Sequence, residues 1–369
     1  MGRTDAKGQR VNTEELRSFA RDKVLSSLEE RSANGDFDRS LWRELAGLGL
    51  MGALVDEKYG GGGGDIGSFV EGASILASAG CDLGIALSLI DHVILCAYPL
   101  LRFGSPALRE RHLPSLCDGE RIGAAAISEP GTGGNPSRMR TTATMEEDGY
   151  RVSGAKGPVT NAPVADLFVV IASTDPDAGK SGLSAFLVER EAGIAVEDIE
   201  LGFLPTSPHG KVILEGVRVP ADHLIGEEGW GHERISRAVF MWERAVIIPV
   251  IVAFMERLHH LLVSSLEPAG ISPDLRVGLA QRKVEVTAYR VLGKRLLELA
   301  FGSEDSGRER MELLLFFGKI LPLWVESVRT AACEARLEAD KTIDGMLRDL
   351  RLLEVGSSML DWQFQRLLF

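Results

Sequence analysis

Apolar residues recur at helical spacing through the first third of the chain. Leu41, Leu45 and Leu48 fall on one side of a helix, and residues 68–79 and 84–103 repeat the pattern with small residues between bulky ones. Small side chains let neighbouring helices approach closely. The pattern therefore predicts a packed bundle of helices in this part of the chain.

The pattern changes near residue 121. Short runs rich in β-branched and aromatic residues follow, separated by Gly, Asp, Pro and Asn, as is typical of an antiparallel β domain. Helical spacing returns near residue 232. Segregated helices and strands predict an α+β fold with an N-terminal helical bundle at 1–121, a middle antiparallel β domain at 122–232 and a C-terminal helical domain at 233–369. The predicted strands are residues 140–144, 149–153, 167–172, 184–189 and 211–214.

The charge balance argues against one class of partner. The chain has a net charge of -12 and no cluster of Lys and Arg, so we expect no nucleic acid to bind. Its four cysteines form no CxxC pair, which favours a reducing, cytoplasmic location without disulfides or a cysteine zinc site. His259 and His260 point about 100° apart on a helix and share no ligand face. We therefore expect no metal site.

Insertion into a membrane is not expected either. The longest apolar run, residues 245–255, contains Pro249 and falls short of the ~20 residues that span a bilayer. Residues 1–11 are polar and of mixed charge, and they lack the apolar core of a signal peptide. The apolar run predicts a buried helix.

A glycine-rich stretch, residues 62–67, matches the GxGxxG pattern of dinucleotide-binding folds. That motif requires a strand directly before its first glycine and a helix directly after it. Polar residues 56–59 stand where the strand should be, and no second parallel strand is predicted nearby. The sequence therefore argues against a Rossmann fold.

Several short motifs over residues 48–244 follow one another in the order found in a known family. The motifs are Gly49-Leu-Met-Gly52, Glu57-Lys-Tyr-Gly-Gly61, Phe103-Gly104, His112-Leu-Pro114, Gly119-Glu120, Ala125-Ala-Ile-Ser-Glu-Pro130, Thr160-Asn161, Val217-Arg-Val-Pro220 and Gly226-Glu-Glu-Gly-Trp-Gly231. Together they resemble the motifs of the acyl-CoA dehydrogenases, in which a tyrosine stands where this chain has His112. The resemblance implies an N-terminal helical domain, a middle β domain and a C-terminal four-helix bundle.

The resemblance implies FAD-dependent oxidation of an acyl thioester between its α and β carbons, with the acyl group carried by CoA or by an acyl carrier protein. A base removes the α proton, and the β hydride passes to the flavin. The electron acceptor would be a flavoprotein or oxygen, and the assembly a homodimer or homotetramer. The residues implied to bind the cofactor are Ala126, Ile127, Ser128, Gly133, Gly134, Pro158, Val159 and Thr160, and those implied to bind the substrate are Phe240, Arg244 and Gly356.

The resemblance also indicates the catalytic base. When the chain is aligned on Arg348, Ser357 occupies the usual glutamate position near the C-terminus, and a neutral hydroxyl cannot act as that base unaided. In a minority branch that resembles isovaleryl-CoA dehydrogenase, the base stands just before an arginine on a long helix, where this chain has Glu243 and Arg244. We therefore predict Glu243 as the base. A buried ion pair between Glu243 and either Arg244 or another cation is the alternative.

Other features depart from the family pattern. Pro158 replaces the usual aromatic residue before the motif of Thr160, and residues 131–135 lack a serine that faces the flavin phosphates. Residues 332–346 lack the motif that reaches FAD across a subunit interface. These departures leave two alternatives open. One is a redox-silent protein of the same fold that binds an acyl thioester or another small molecule, and the other is a flavin-monooxygenase-like member.

Overall fold

The chain folds as helices, then strands, then helices, as predicted, and the α+β fold class is confirmed. The computed structural model describes residues 11–35, 37–131, 136–266, 272–302, 307–337 and 339–354. Seven α-helices precede the first strand among these residues. They are α1 (Thr13–Phe19), α2 (Leu28–Asn34), α3 (Arg39–Gly47), α4 (Ile66–Gly80), α5 (Leu83–Ile90), α6 (Tyr98–Phe103) and α7 (Pro106–Cys117).

Side-chain caps mark where five of these helices begin. Asn12, Asp38, Asp65, Asp82 and Ser105 each stand immediately before a helix and accept a hydrogen bond from a backbone N–H in its first turn. The first four N–H groups of an α-helix have no partner within the helix, so such a cap stabilises the helix by about 1 kcal/mol. These polar residues divide the apolar pattern into separate helices.

One mixed sheet occupies the middle of the chain. Its strands among the described residues are β1 (Gly123–Ala126), β2 (Thr142–Glu146), β3 (Gly149–Thr160), β4 (Leu167–Ser173), β5 (Leu183–Glu189), β6 (Ala195–Asp198), β7 (His209–Pro220) and β8 (Leu224–Ile225). They lie in the order β6–β7–β3–β2–β4–β5–β8, and β1 pairs with β4. The pairings are antiparallel, as predicted, except that β4 runs parallel to β1 and, at one pair of residues, to β2.

Strand β4 separates two hydrophobic cores. Leu167, Val169 and Ile171 belong to the large core that the sheet shares with the helices, whereas Phe168 and Val170 belong to a smaller core. Successive side chains of a strand point to opposite faces of its sheet. The helices therefore cover one face of the sheet, and the smaller core lies on the other face.

Strand β1 consists of Gly and Ala, so no β-branched pattern predicts it. A Cβ on Gly123 would lie 2.6 Å from the Cβ of Cys96, and this glycine therefore permits close packing against the π-helical segment Asp91–Ala97. His92 joins the same two elements, because its Nδ1 accepts from the Gly123 N–H at 3.0 Å and its Nε2 donates to the Leu116 carbonyl oxygen at 3.0 Å. Burial lowers the pKa of His92 to about 4, which keeps the ring neutral.

Four α-helices follow the sheet within the described ranges. Two helical stretches of the fold, residues 83–103 and 231–265, have the length and hydropathy of a membrane span. The most apolar part of residues 83–103 is 94% buried inside the fold, whereas that of residues 231–265 is 50% buried. Residues 83–103 therefore form an interior helix of the N-terminal region. The four helices are α8 (Arg237–Ser265), α9 (Pro273–Phe301), α10 (Gly307–Glu334) and α11 (Lys341–Asp349).

Candidate active site

The two segments predicted to line the flavin meet beyond the end of β1. The Gly157 N–H donates to the Ser128 carbonyl oxygen at 2.9 Å, which joins the segments directly. Ala126 and Ile127 are buried with their side chains in the two cores, so their backbone atoms are the groups left for a cofactor. Ser128 follows the strand and is half-buried, so its hydroxyl is the side-chain donor that residues 126–128 can offer.

Alternate side chains of β3 point towards the same side as the helices. Pro158 is exposed and Thr160 is half-buried, whereas Val159 between them packs into the smaller core. Thr160 Oγ1 lies 3.2 Å from Nε2 of His209, and Nδ1 of His209 lies 2.8 Å from the Ser207 carbonyl oxygen. Burial lowers the pKa of His209, so the ring is neutral, with Nδ1 as donor and Nε2 as acceptor. His209 Nε2 is therefore an acceptor within reach of the Thr160 hydroxyl, whose oxygen can also accept a hydrogen bond.

A buried ion pair stands behind these segments. Lys156 is fully buried, and its Nζ donates to Glu129 Oε1 at 3.0 Å and to the Ile127 carbonyl oxygen at 3.1 Å. The Thr141 N–H and hydroxyl donate to the same carboxylate oxygen, and the Arg140 N–H donates to the other oxygen. Burial acts to raise the pKa of Glu129, but the bonds from Thr141 and the charge of Lys156 outweigh it and lower the pKa. The ionised Glu129 therefore fixes the chain just beyond β1.

Three residues predicted from the sequence lie close together near the start of α8, with Phe240 next to both of the others on the helix surface. Phe240, Glu243 and Arg244 stand three and four positions apart, so their side chains are neighbours on the helix surface. Phe240 is 38% exposed, and Glu243 and Arg244 are half-buried. Burial raises the pKa of Glu243, although the charge of Arg244 opposes the rise. Glu243 keeps some exposed surface, but its carboxylate is desolvated enough to bind a proton more tightly than a free glutamate.

The structure adds a carboxylate that the sequence patterns did not predict. Asp91 is 5% exposed, and its Oδ1 has no hydrogen-bond partner among the described residues. Burial and, second, the negative charge of Glu243 raise the pKa of Asp91 well above its ordinary value, while a hydrogen bond with Thr160 opposes the rise. Asp91 therefore brings Glu243 and Thr160 into one cluster. The signal that could have revealed it is an acidic residue within an otherwise apolar helix.

Some predicted residues lie outside the described part of the chain. They are Gly133, Gly134 and Gly356, together with Ser357 at the common base position. The nearest described carboxylate to that position, Glu354, ends a short 3-10 helix and is exposed. It lacks the burial that raises the pKa of Glu243.

The residues that the structure brings together fit a flavin ring. Ser128 and Thr160 are half-buried and offer hydroxyl groups, and Pro158, two residues before Thr160, offers an exposed apolar surface. The buried Asp91 Oδ1 still lacks a partner within the described residues. Buried polar groups are normally hydrogen-bonded, so this unpartnered oxygen indicates that the site receives a polar ligand.

Comparison with known proteins assigns the family. Residues 7–120 match the model of the acyl-CoA dehydrogenase N-terminal domain, and residues 124–217 match that of the acyl-CoA dehydrogenase middle domain. The L-prolyl-[peptidyl-carrier protein] dehydrogenase of Pseudomonas fluorescens is 30% identical over 345 residues, which cover 89% of each protein. The short-chain-specific acyl-CoA dehydrogenase of Megasphaera elsdenii is 36% identical over 220 residues, which cover 58% of this chain and 57% of that protein.

A solved structure agrees with that assignment. PigA with FAD and proline superimposes with a TM-score of 0.86 at 25% identity, covering 96% of this chain and 95% of that one. Two family domains and a relative aligned over nearly its whole length lead to one conclusion. The chain belongs to the acyl-CoA dehydrogenase family, and it is an FAD-dependent oxidoreductase that dehydrogenates an acyl thioester carried on CoA or on a carrier protein.

Proposed function

We propose that Glu243 is the base that removes the α proton of the acyl thioester. The observation that carries this proposal is the raised pKa of Glu243, which burial causes despite the neighbouring Arg244. A general base is most effective when its pKa approaches the working pH, and desolvation moves the pKa of a carboxylate in that direction. Within the described residues Glu243 makes no ion pair or hydrogen bond, so its lone pairs are available to accept a proton.

Neighbouring side chains hold the substrate and cofactor around Glu243. Ser128 and Thr160 would hydrogen-bond the flavin, and bound FAD would accept the hydride from the β carbon. Phe240 would cover the acyl chain, because it is exposed on the same face of α8 as Glu243. The positive charge of Arg244 favours the ionised form of Glu243, which is the form that accepts the α proton.

We further propose that the acyl group is an aminoacyl thioester on a carrier protein. Two relatives named L-prolyl-[peptidyl-carrier protein] dehydrogenase align with 89% and 90% of this chain. Asp91 also places a second carboxylate beside Glu243, and the two negative charges repel each other. A protonated amine next to the α carbon would offset that repulsion and would make the α proton more acidic. A neutral acyl chain would do neither.

The base assignment is tested with Glu243→Gln, which keeps the size of the side chain and removes the proton acceptor. In anaerobic single-turnover experiments the rate of flavin reduction should fall by about 10²–10⁴-fold, while the flavin absorbance of the protein stays unchanged. The matched control is Glu354→Gln, which alters an exposed glutamate and should reduce flavin at the parent rate.

Other outcomes separate the alternatives. Near-parental reduction by Glu243→Gln would show that another group is the base. Failure of the parent to retain flavin or to bind it at about 10 μM added FAD would favour the redox-silent protein. Oxygen-dependent hydroxylation by the parent would favour the monooxygenase-like alternative, which needs no α-proton base.

The aminoacyl proposal is tested with a matched pair of substrates. Prolyl and cyclopentanecarbonyl thioesters of the same carrier have nearly the same shape and differ in the charged nitrogen. We expect kcat/KM to favour the prolyl thioester by at least about 30-fold, the effect of losing one partner of a buried charge pair. Asp91→Asn removes the proposed partner of the charged nitrogen, so the kcat/KM ratio of the prolyl to the cyclopentanecarbonyl thioester should be smaller than in the parent. Equal rates with both thioesters would contradict the aminoacyl proposal and leave the base assignment intact.

Four further properties concern the electron acceptor, the location, the oligomeric state and the absence of nucleic-acid and membrane partners. We propose an electron-transferring flavoprotein or oxygen as the acceptor, a cytoplasmic location, a homodimer or homotetramer, and no nucleic-acid or membrane partner. The net charge of -12 supports the absence of nucleic acid. Cys81, Cys96 and Cys117 are free and buried, which supports a reducing compartment.

A further inference from the structure

A cluster of potential metal ligands lies where α7 meets the sheet. His112 in α7, Glu189 at the end of β5 and His223 in the turn after β7 place one ligand atom each within 4.8 Å of the others. None of the three belongs to the residues assigned above to the flavin or the substrate. We propose that His112, Glu189 and His223 bind a zinc ion.

His112 is buried without a partner. It is 1% exposed, and neither of its ring nitrogens has a hydrogen-bond partner in the described structure. Such a group is unfavourable in a protein interior unless a ligand satisfies it. Burial lowers the pKa of His112 to about 4, so at neutral pH the ring is uncharged and one nitrogen carries a free lone pair. That is the form of histidine that binds metals.

The orientation of His223 is typical of a metal ligand. Its Nδ1 lies 3.0 Å from the Leu187 carbonyl oxygen, so Nδ1 donates and Nε2 carries the lone pair. Metal-binding histidines commonly donate their other N–H to a carbonyl group in this way. Arg111 Nη1 lies 3.4 Å from Nε2, which is long for a hydrogen bond. Arg111 is exposed, so it can turn into solvent when a cation binds.

Glu189 supplies the negative charge of the cluster. Burial acts to raise the pKa of Glu189, but the hydrogen bond and charge of Arg121 outweigh it and lower the pKa. Arg121 Nη2 lies 2.9 Å from Glu189 and 3.1 Å from Glu191, so it keeps an anionic partner if Glu189 turns towards a metal. A cavity of about 280 Å³ borders Glu189 and His223, and it leaves room for a water molecule as a fourth ligand.

The ligand set favours zinc over harder cations. Two neutral imidazoles and one carboxylate, with a fourth position open to solvent, form a set that Zn²⁺ adopts in proteins. Zinc–ligand distances of about 2.0–2.2 Å keep tetrahedral ligands roughly 3–3.5 Å apart. The three side chains therefore need to close by up to about 1.5 Å. The bound ion would tie α7 to β5 and to the turn after β7.

The test uses the full chain, purified without an affinity tag, treated with a chelator and then supplied with Zn²⁺ alone. We expect about one Zn²⁺ per chain by elemental analysis and a rise in Tm, because a ligand that binds the folded state stabilises it. Co²⁺ serves as a second probe, since its visible absorption reports a four-coordinate site. Both measurements are independent of flavin and of catalysis.

Variants assign the ligands. His112→Tyr introduces the residue found in the related motif, and His223→Gln keeps a polar side chain; each should weaken Zn²⁺ binding at least tenfold. His260→Gln, at an exposed histidine, should bind Zn²⁺ like the parent. Substoichiometric Zn²⁺ in the parent at micromolar free metal would overturn the proposal. Unchanged binding in both ligand variants would overturn it as well.

Discussion

Two clusters near the predicted flavin segments hold desolvated carboxylates, one around Glu129 and the other around Asp91 and Glu243, and their pKa values are shifted in opposite directions. Lys156 and Thr141 supply a cation and hydrogen bonds to Glu129, whose pKa is lowered. The negative charge of Glu243 instead acts on Asp91, Arg244 is the cation that acts on Glu243, and both pKa values are raised. Burial alone therefore does not decide the role of a carboxylate. Its hydrogen-bond and charge partners determine whether the ionised form of the carboxylate is stabilised or destabilised.

The difference separates a structural role from a chemical one. A carboxylate that is held as an anion by a cation and several donors is a poor proton acceptor near neutral pH. A desolvated carboxylate with few partners is a better one, and such groups cluster at functional sites. Glu129 accordingly positions the chain beyond β1, and Glu243 is the proposed base.

The largest expected effect is on stability, at the Glu129 cluster. Lys156→Met removes the cation and leaves a buried carboxylate uncompensated, which typically costs about 3–5 kcal/mol of unfolding free energy. Urea denaturation monitored by far-UV circular dichroism measures the loss. Because Lys156 also holds the Ile127 carbonyl oxygen, the variant should retain less FAD than the parent.

The control for this prediction is a second lysine in the sheet. Lys211 pairs with Glu197 at 2.9 Å, but its side chain is 37% exposed and that of Glu197 is 61% exposed. Lys211→Met should therefore cost no more than about 1 kcal/mol. Equal losses in the two variants would show that burial of the Lys156 pair does not matter to the fold.

A smaller effect of opposite sign is expected at Asp91. The folded-state pKa of Asp91 is raised, so its contribution to stability is greatest below the unfolded pKa of about 3.9 and declines as the pH rises through the raised folded value. Asparagine does not ionise, so the stability of the Asp91→Asn variant does not decline with pH for this reason. At pH 8 the variant should be more stable than the parent by about 1–3 kcal/mol, and the difference should shrink near pH 4.

Thermal unfolding of parent and Asp91→Asn across this pH range measures the effect. The same variant should discriminate poorly between prolyl and cyclopentanecarbonyl thioesters, so stability and specificity would change in opposite directions. If the variant were instead less stable than the parent by the same amount at every pH, the proposal that ionisation of the buried Asp91 destabilises the fold would be contradicted.

The sequence predicted the order of the structural regions because helical and strand periodicity are local properties. The family resemblance also indicated Glu243 as the candidate base, because this residue stands just before Arg244 at the position that the isovaleryl-CoA-dehydrogenase-like branch uses. Strand β1 escaped prediction because Gly123–Ala126 has no β-branched side chain and is a strand only through packing against β4 and residues 91–97. Its identity as a strand is set by tertiary contacts.

The clusters themselves could not be predicted from spacing. Asp91, Thr160 and Glu243 lie on three separate elements, and their coupling depends on how α8 and the segment at residues 91–97 pack over the sheet. His112 and His223 likewise come together only in the folded chain, whereas the histidines at residues 259–260 are adjacent in the sequence. His259 in fact hydrogen-bonds the Leu279 carbonyl oxygen.

The most direct test of the proposed base is the pH dependence of flavin reduction in anaerobic single turnover. We predict that the parent's rate falls as the pH is lowered through the raised pKa of Glu243, because the protonated carboxyl cannot accept the α proton. The slow residual rate of Glu243→Gln should lack this acidic limb, and Asp91→Asn should retain one. An unchanged acidic limb in Glu243→Gln, or its loss in Asp91→Asn, would contradict the assignment of Glu243 as the base.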